Sequence, residues 1–226
     1  MINKVNDRCR AVIFDLDGTL LNTLTSLANC HNRVLSRMGF PVHDIHAYRY
    51  FIGDGARQCV VRCLPVNERS EKNVNETLRN QQFDYQQNWR KDVERYPGIT
   101  QLLVQLNTKR IPVAVLSNKD QIFTEQCIEY FFPEIKFSEI TGFSKDTPHK
   151  PDPRGALLIA ERLSIPPAQI ALVGDTAMDM QAAEASGMIA VGALWGFRDK
   201  QELVSNGAQT LVSHPDQVGS ALGLNF

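Results

Sequence analysis

Ala11-Val12-Ile13-Phe14-Asp15-Leu16-Asp17-Gly18-Thr19-Leu20 places an unbroken apolar run directly before two closely spaced carboxylates. The run reads as a buried parallel strand. Two acids set together at its end repel and lose hydration, an arrangement that needs a cation or a proton between them. Gly18 then turns the chain away. An acidic pair after a strand also occurs as a plain surface turn with a helix cap behind it, but the same pattern recurs along the chain. Ile111-Pro112-Val113-Ala114-Val115-Leu116 runs into Ser117-Asn118-Lys119, and Ile170-Ala171-Leu172-Val173 runs into Gly174-Asp175-Thr176. Ligands of open parallel sheets bind outside the carboxyl ends of the strands, so these ends can converge on one site.

The organisation around these strands is legible from periodicity. After Tyr96-Pro97-Gly98, helices near 99–108, 121–131, 153–163 and 178–186 alternate with strands near 111–116, 136–141, 170–173 and 188–193. That alternation predicts an α/β fold, a Rossmann-like doubly wound parallel sheet. Between the first strand and residue 97 the pattern is helical instead. Leu24, Leu27, Ala28, Val34, Leu35 and Met38 follow three-and-four spacing up to Gly39 and Pro41. A second helix is expected over Ala56–Leu64, and a third within Glu68–Val93 with Val74, Leu78, Tyr85 and Trp89 as its buried seam. The expected domains are therefore a core of 1–21 and 97–226, with an inserted α-helical bundle at 22–96.

Composition narrows the function. The chain has 226 residues, 43% hydrophobic and 22% charged, with a net charge of −1, as in soluble globular proteins. Without a Lys/Arg cluster, neither nucleic acid nor an anionic membrane is the expected partner. A small molecule is. No apolar stretch reaches the roughly 18 residues needed to span a bilayer, and Met1–Asp7 lacks a signal-peptide apolar core, so a cytoplasmic location is expected. Cys9, Cys30, Cys59, Cys63 and Cys127 are odd in number and scattered, which suits reduced thiols. Cys59 and Cys63 lack the further Cys or His pair that zinc requires. His43 and His46, in a polar stretch after Pro41, read as solvated surface.

Asp15-Leu16-Asp17-Gly18-Thr19-Leu20 resembles the first motif of the haloacid dehalogenase superfamily in the form used by its phosphatases. The resemblance covers essentially the whole chain. Ser117 is similar to the second motif's hydroxyl, and Asn118-Lys119 to the Ser/Thr-Asn-Lys form of phosphoglycolate-phosphatase-like members. Lys150, within His149-Lys150-Pro151-Asp152-Pro153, matches the third motif, and Gly174-Asp175 with Asp179 matches the fourth. Any one of these has an ordinary alternative: a strand-end cap, a solvated lysine, or acids at a helix start. Their order along one chain favours the functional reading.

The resemblance implies that Asp15 is the nucleophile and forms an aspartyl-phosphate, with Asp17 as general acid and base. It implies Mg2+ held by Asp15, the backbone carbonyl of Asp17 and Asp175. Ser117, Asn118 and Lys150 would bind the phosphoryl group, and Asp179 would orient Lys150 or the metal's waters. A dehalogenase needs no acid at the position of Asp17. Tyr50-Phe51-Ile52-Gly53-Asp54-Gly55-Ala56-Arg57, Trp195-Gly196-Phe197-Arg198 and Gly207-Ala208 resemble phosphoglycolate phosphatases, so Gly53 and Gly55 are candidate substrate contacts on a cap. A simple interhelical turn is the alternative there. The expected activity is hydrolysis of a small phosphate monoester, 2-phosphoglycolate first, by a monomer or homodimer. A broader sugar-phosphate or nucleotide phosphatase, a pyrophosphatase, a phosphoglucomutase-like transferase and a catalytically silent binding protein remain open.

Overall fold

The computed structural model describes residues 9–224, so Met1–Asp7 lies outside the described residues. In chain order the elements are β1 (Ala11–Phe14), β2 (Leu21–Asn22), α1 (Leu24–Arg37), α2 (Tyr48–Phe51), α3 (Gly55–Cys63), α4 (Glu71–Asn88), β3 (Glu94–Arg95) and α5 (Ile99–Thr108). They continue as β4 (Val113–Asp120), α6 (Gln121–Phe131), β5 (Glu139–Phe143), α7 (Arg154–Leu163), β6 (Ile170–Gly174), α8 (Ala177–Ser186), β7 (Ile189–Ala193), α9 (Lys200–Ser205), β8 (Thr210–Val212) and α10 (Gln217–Ala221).

Two compact units result. One holds the described residues through Leu21 together with those from Arg95 onward, and the other is Asn22–Glu94. The return crossing falls two residues before the expected 96/97 boundary. Arg95 pairs with Glu134 and Thr100, and the Tyr96 amide donates to the Leu20 carbonyl, which fastens 95–96 to the larger unit.

The larger unit is built on a six-stranded sheet ordered β5-β4-β1-β6-β7-β8, with every strand pair parallel. Parallel strands buried on both faces need continuous apolar sequence, and β1, β6 and β7 are buried at every position. Ile13, Leu116, Ile159, Leu172, Met180 and Ala190 share one core cluster between the sheet and its helices. The expected strand 111–116 instead begins at Val113 and continues to Asp120, its pairing with β5 breaking step between Leu116 and Asp120. The next strand lies at 139–143 rather than 136–141 because Pro133 and the turn after α6 delay it. Neither β8, α9 nor α10 carried a distinctive period.

The smaller unit is helical. Its α4 buries Val74, Thr77, Gln81, Asp84 and Tyr85, a more polar seam than the one expected, in which Leu78 and Trp89 are only half-buried. Arg33 and Arg37 on α1 account for the polarity: their guanidinium groups lie 2.5 Å and 3.0 Å from the oxygens of Asp84. Although burial opposes it, the Arg33 hydrogen bonds hold the Asp84 carboxyl below its usual range. His43 also departs from the surface reading, since its Nε2 lies 2.7 Å from the Cys63 carbonyl oxygen and its backbone amide donates to Asn32. His46 is exposed.

Asp84→Ala should destabilise the protein by about 1–3 kcal/mol, the lower end reflecting the partial exposure of both arginines. The contribution is present above the carboxyl's unfolded pKa and fades as pH falls through its lowered folded value. Denaturant unfolding at neutral and acidic pH checks both the size and the direction.

Candidate active site

Three adjacent strands deliver the expected residues. Phe14 pairs with Val115 on one side and Val173 on the other, so Asp15 and Asp175 directly follow β1 and β6, while Ser117 lies two residues past Val115 within β4, in the stretch where its pairing with β5 breaks step. The Asp15 amide donates to the Val173 carbonyl at 2.9 Å. Lys150 follows β5, and its peptide bond to Pro151 is cis. Asn118 brackets this lysine: its Nδ2 donates to the Lys150 carbonyl at 3.1 Å, and its Oδ1 accepts from the Lys150 amide at 2.7 Å.

The Lys150 ammonium is buried and fully engaged. It lies 2.7 Å from Asp15 Oδ1 and 2.6 Å from Asp179 Oδ1, and donates to the Leu116 carbonyl at 2.8 Å. Burial works against its charge, but Asp15 and Asp179 together hold its pKa above the usual lysine value. Asp15 is pushed up by burial, opposed by Lys150 and reinforced by Asp179 and Asp175. Asp179 has its other oxygen occupied too, since Oδ2 accepts from the Thr176 amide at 3.0 Å and hydroxyl at 2.7 Å. Of its two expected duties, this geometry favours orienting Lys150.

Asp175 is held from outside the motif. Its Oδ1 accepts from the Thr19 hydroxyl at 2.9 Å and its Oδ2 from the Phe197 amide at 2.7 Å. Gly18, at φ +88°, and Gly196 both lie where a Cβ would collide with Asp175, so a side chain at either position is excluded by sterics. Burial and the neighbouring Asp179 raise the Asp175 carboxyl to about 7. Trp195 donates its indole N–H to the Thr19 carbonyl at 3.0 Å. Thr19, Thr176, Trp195 and Phe197 had no assigned role in the sequence reading. An aromatic-Gly-aromatic run after a strand was visible, but its target was not.

Ligand oxygens of Asp15, Asp175 and Asp179 all lie within 4.8 Å of one another. An all-oxygen, all-carboxylate donor set suits a hard divalent cation. The charges agree: the carboxylates of Asp15, Asp17, Asp175 and Asp179 face the ammonium groups of Lys150 and Lys119, leaving two formal negative charges for such a cation to balance. The Asp17 carboxylate stands apart from that cluster, with its Oδ2 2.9 Å from the Lys119 ammonium. In the smaller unit Gly53, at φ +126°, lies in the turn before α3, and Gly55, at φ +83°, is the first residue of that helix. Arg62 pairs there with Asp54 and donates to the Phe51 carbonyl, while Arg57 pairs with Glu71.

A family profile for haloacid dehalogenase-like hydrolases matches residues 12–193. The chain belongs to that family. It is 31% identical over 193 residues to a phosphoglycolate phosphatase of Pseudomonas putida, covering 83% of this chain and 70% of the relative. With the phosphoglycolate phosphatase of Neisseria gonorrhoeae the identity is 28% over 225 residues, 98% of this chain and 93% of the relative. The crystal structure of a proposed phosphoglycolate phosphatase from Lactobacillus delbrueckii subsp. bulgaricus superposes with a TM-score of 0.90 at 25% identity, covering 95% of this chain and 98% of that one. The fold and the enzyme class, a phosphoric monoester hydrolase of this family, agree with the sequence reading.

Divalent-cation binding should tighten as pH rises through about 7, because the raised Asp175 carboxyl must lose its proton to accept the ion. Calorimetric titration in buffers of differing ionisation enthalpy reads the released proton. Affinity that stays constant from about pH 5.5 to about pH 8 would contradict this assignment.

Proposed function

We propose that the protein is a magnesium-dependent phosphatase acting on a small phosphate monoester, 2-phosphoglycolate foremost, through an aspartyl-phosphate on Asp15. The observation that carries the reading is the Lys150 ammonium set between Asp15 and Asp179 at the ends of the strands. A buried ammonium beside a carboxylate opposes the upward pull of burial on that carboxyl and offers positive charge to an incoming phosphoryl oxygen.

In the proposed reaction the Asp15 carboxylate attacks phosphorus, the ester P–O bond breaks, and Asp17 protonates the departing oxygen. Water then attacks the acyl phosphate, giving its proton to Asp17 and releasing inorganic phosphate and free Asp15. Ser117 accepts from the Lys119 amide at 3.2 Å, which leaves its hydroxyl proton to donate to the phosphoryl group. Asn118 acts on the substrate by fixing Lys150. Asp15, the Asp17 carbonyl and Asp175 would hold magnesium, which would supply positive charge for an anionic nucleophile to approach an anionic phosphate. The helical unit is proposed as the cap that selects the substrate, on the strength of its insertion just after the first motif and the likeness of residues 50–57 to phosphoglycolate phosphatases. A cytoplasmic location and a small phosphorylated metabolite as partner belong to the same reading, the latter supported by the likeness to phosphoglycolate phosphatases; no described helix is long and apolar enough to cross a membrane.

A panel of phosphate esters assayed with magnesium should give the highest kcat/KM on 2-phosphoglycolate, and Asp15→Asn should abolish turnover while circular dichroism stays unchanged. Acid quenching should trap phosphate on Asp15; phosphate on another residue, or turnover by the variant, would sink the reading. Asp17→Asn should lose on the order of 10²-fold or more on alkyl esters and clearly less on nitrophenyl phosphate, whose leaving group needs little proton help. Equal losses on the two would remove Asp17 from proton transfer.

A further inference from the structure

Resting on the phosphatase reading, we propose that Lys119 is a positioning residue for Asp17, holding one carboxylate oxygen so that the other alone exchanges the proton with the leaving group and the attacking water. Asp17 Oδ2 lies 2.9 Å from the Lys119 ammonium, with the two side chains only 14% and 7% exposed. Asp17 Oδ1 is buried and has no hydrogen-bond partner among the described residues. A buried carboxylate oxygen without a donor is costly and occurs where a site awaits a ligand or a reacting atom. The asymmetry therefore divides the carboxylate: Oδ2 is anchored, Oδ1 is reserved.

Lys119 is equipped to be an anchor because its own backbone is pinned on both sides. Its amide donates to the Ser117 hydroxyl at 3.2 Å, and its carbonyl accepts from the Thr124 hydroxyl at 3.2 Å. The break in register between Leu116 and Asp120 lifts this segment out of the regular β4–β5 ladder, freeing residue 119 from the alternation that would otherwise fix its direction. A long side chain on a fixed backbone loses less freedom when its tip is paired. Lys150, by contrast, has Asp15, Asp179 and the Leu116 carbonyl as partners. The two lysines thus divide the work, one on the phosphoryl side and one on the proton side.

In the ester-cleavage step, the P–O bond breaks and the departing oxygen takes the proton from Asp17 Oδ1. In the second step, water gives a proton back to Oδ1 as it bonds to phosphorus. Throughout both steps Lys119 stays on Oδ2. Removing the ammonium lets the carboxylate turn, so proton delivery suffers while attack by Asp15 does not.

The test compares kcat/KM on an alkyl phosphate and on nitrophenyl phosphate for the unaltered protein, Lys119→Gln, Lys119→Met and Lys119→Arg, with thermal unfolding to confirm folding. For Lys119→Gln the alkyl-to-aryl ratio should fall about tenfold or more through kcat, and Lys119→Arg should restore most of it. Lys119→Met serves the same purpose if the glutamine variant does not fold. In combination with Asp17→Asn, Lys119→Gln should cause no further loss, because the two act as one unit. Equal losses on both esters, a rise confined to KM, or additive losses in the double variant would overturn the proposal and make Lys119 a phosphate contact. Inactivity of the unaltered protein on every ester would overturn the phosphatase reading itself.

Discussion

The Lys150 ammonium, shared among Asp15, Asp179 and the Leu116 carbonyl, is the interaction on which the arrangement of charge depends. Carboxylate oxygens of Asp15, Asp175 and Asp179 gathered within 4.8 Å repel strongly in a dry interior. One cation inside the cluster offsets part of that repulsion, and burial first, with the remaining repulsion behind it, pulls the Asp15 and Asp175 carboxyls up. Such a cluster is unstable as a purely structural device. It makes sense where a further positive charge is to be received.

Backbone does much of the positioning. The Phe197 amide, the Asn118 bracket on the Lys150 peptide and the collision space at Gly18 and Gly196 fix Asp175 and Lys150 without relying on flexible contacts. Threonines complete the arrangement, Thr19 on Asp175 and Thr176 on Asp179. Both oxygens of each of these aspartates accept bonds that set the direction of the remaining lone pairs.

The strands were legible because burial on both faces demands unbroken apolar sequence, and the acids at their ends were legible because nothing else in such runs is polar. Asp15 and Asp175 accordingly follow β1 and β6 directly, with Ser117 within β4 and Lys150 in the loop after β5. What could not be read was pairing across sequence distance. Phe197 reaches Asp175 through a backbone amide, which leaves no signature in residue identity, and Lys119 meets Asp17 across about a hundred residues of sequence, from the stretch of β4 where the pairing breaks step. The seam of α4 was misjudged for a related reason: Asp84 is buried by virtue of arginines on α1, and no period within α4 reveals them.

The chain leaves the sheet-bearing unit through Leu21–Asn22 and returns through Glu94–Arg95, and these two short strands pair with each other. The ends of the inserted segment are therefore already side by side, and the entropy of closing whatever loop lies between them is met by the ribbon rather than by the insert. Insert length and sequence are thereby decoupled from the stability of the sheet. The helices between the two short strands can therefore change in length and sequence while the sheet and the charged groups it carries stay in place.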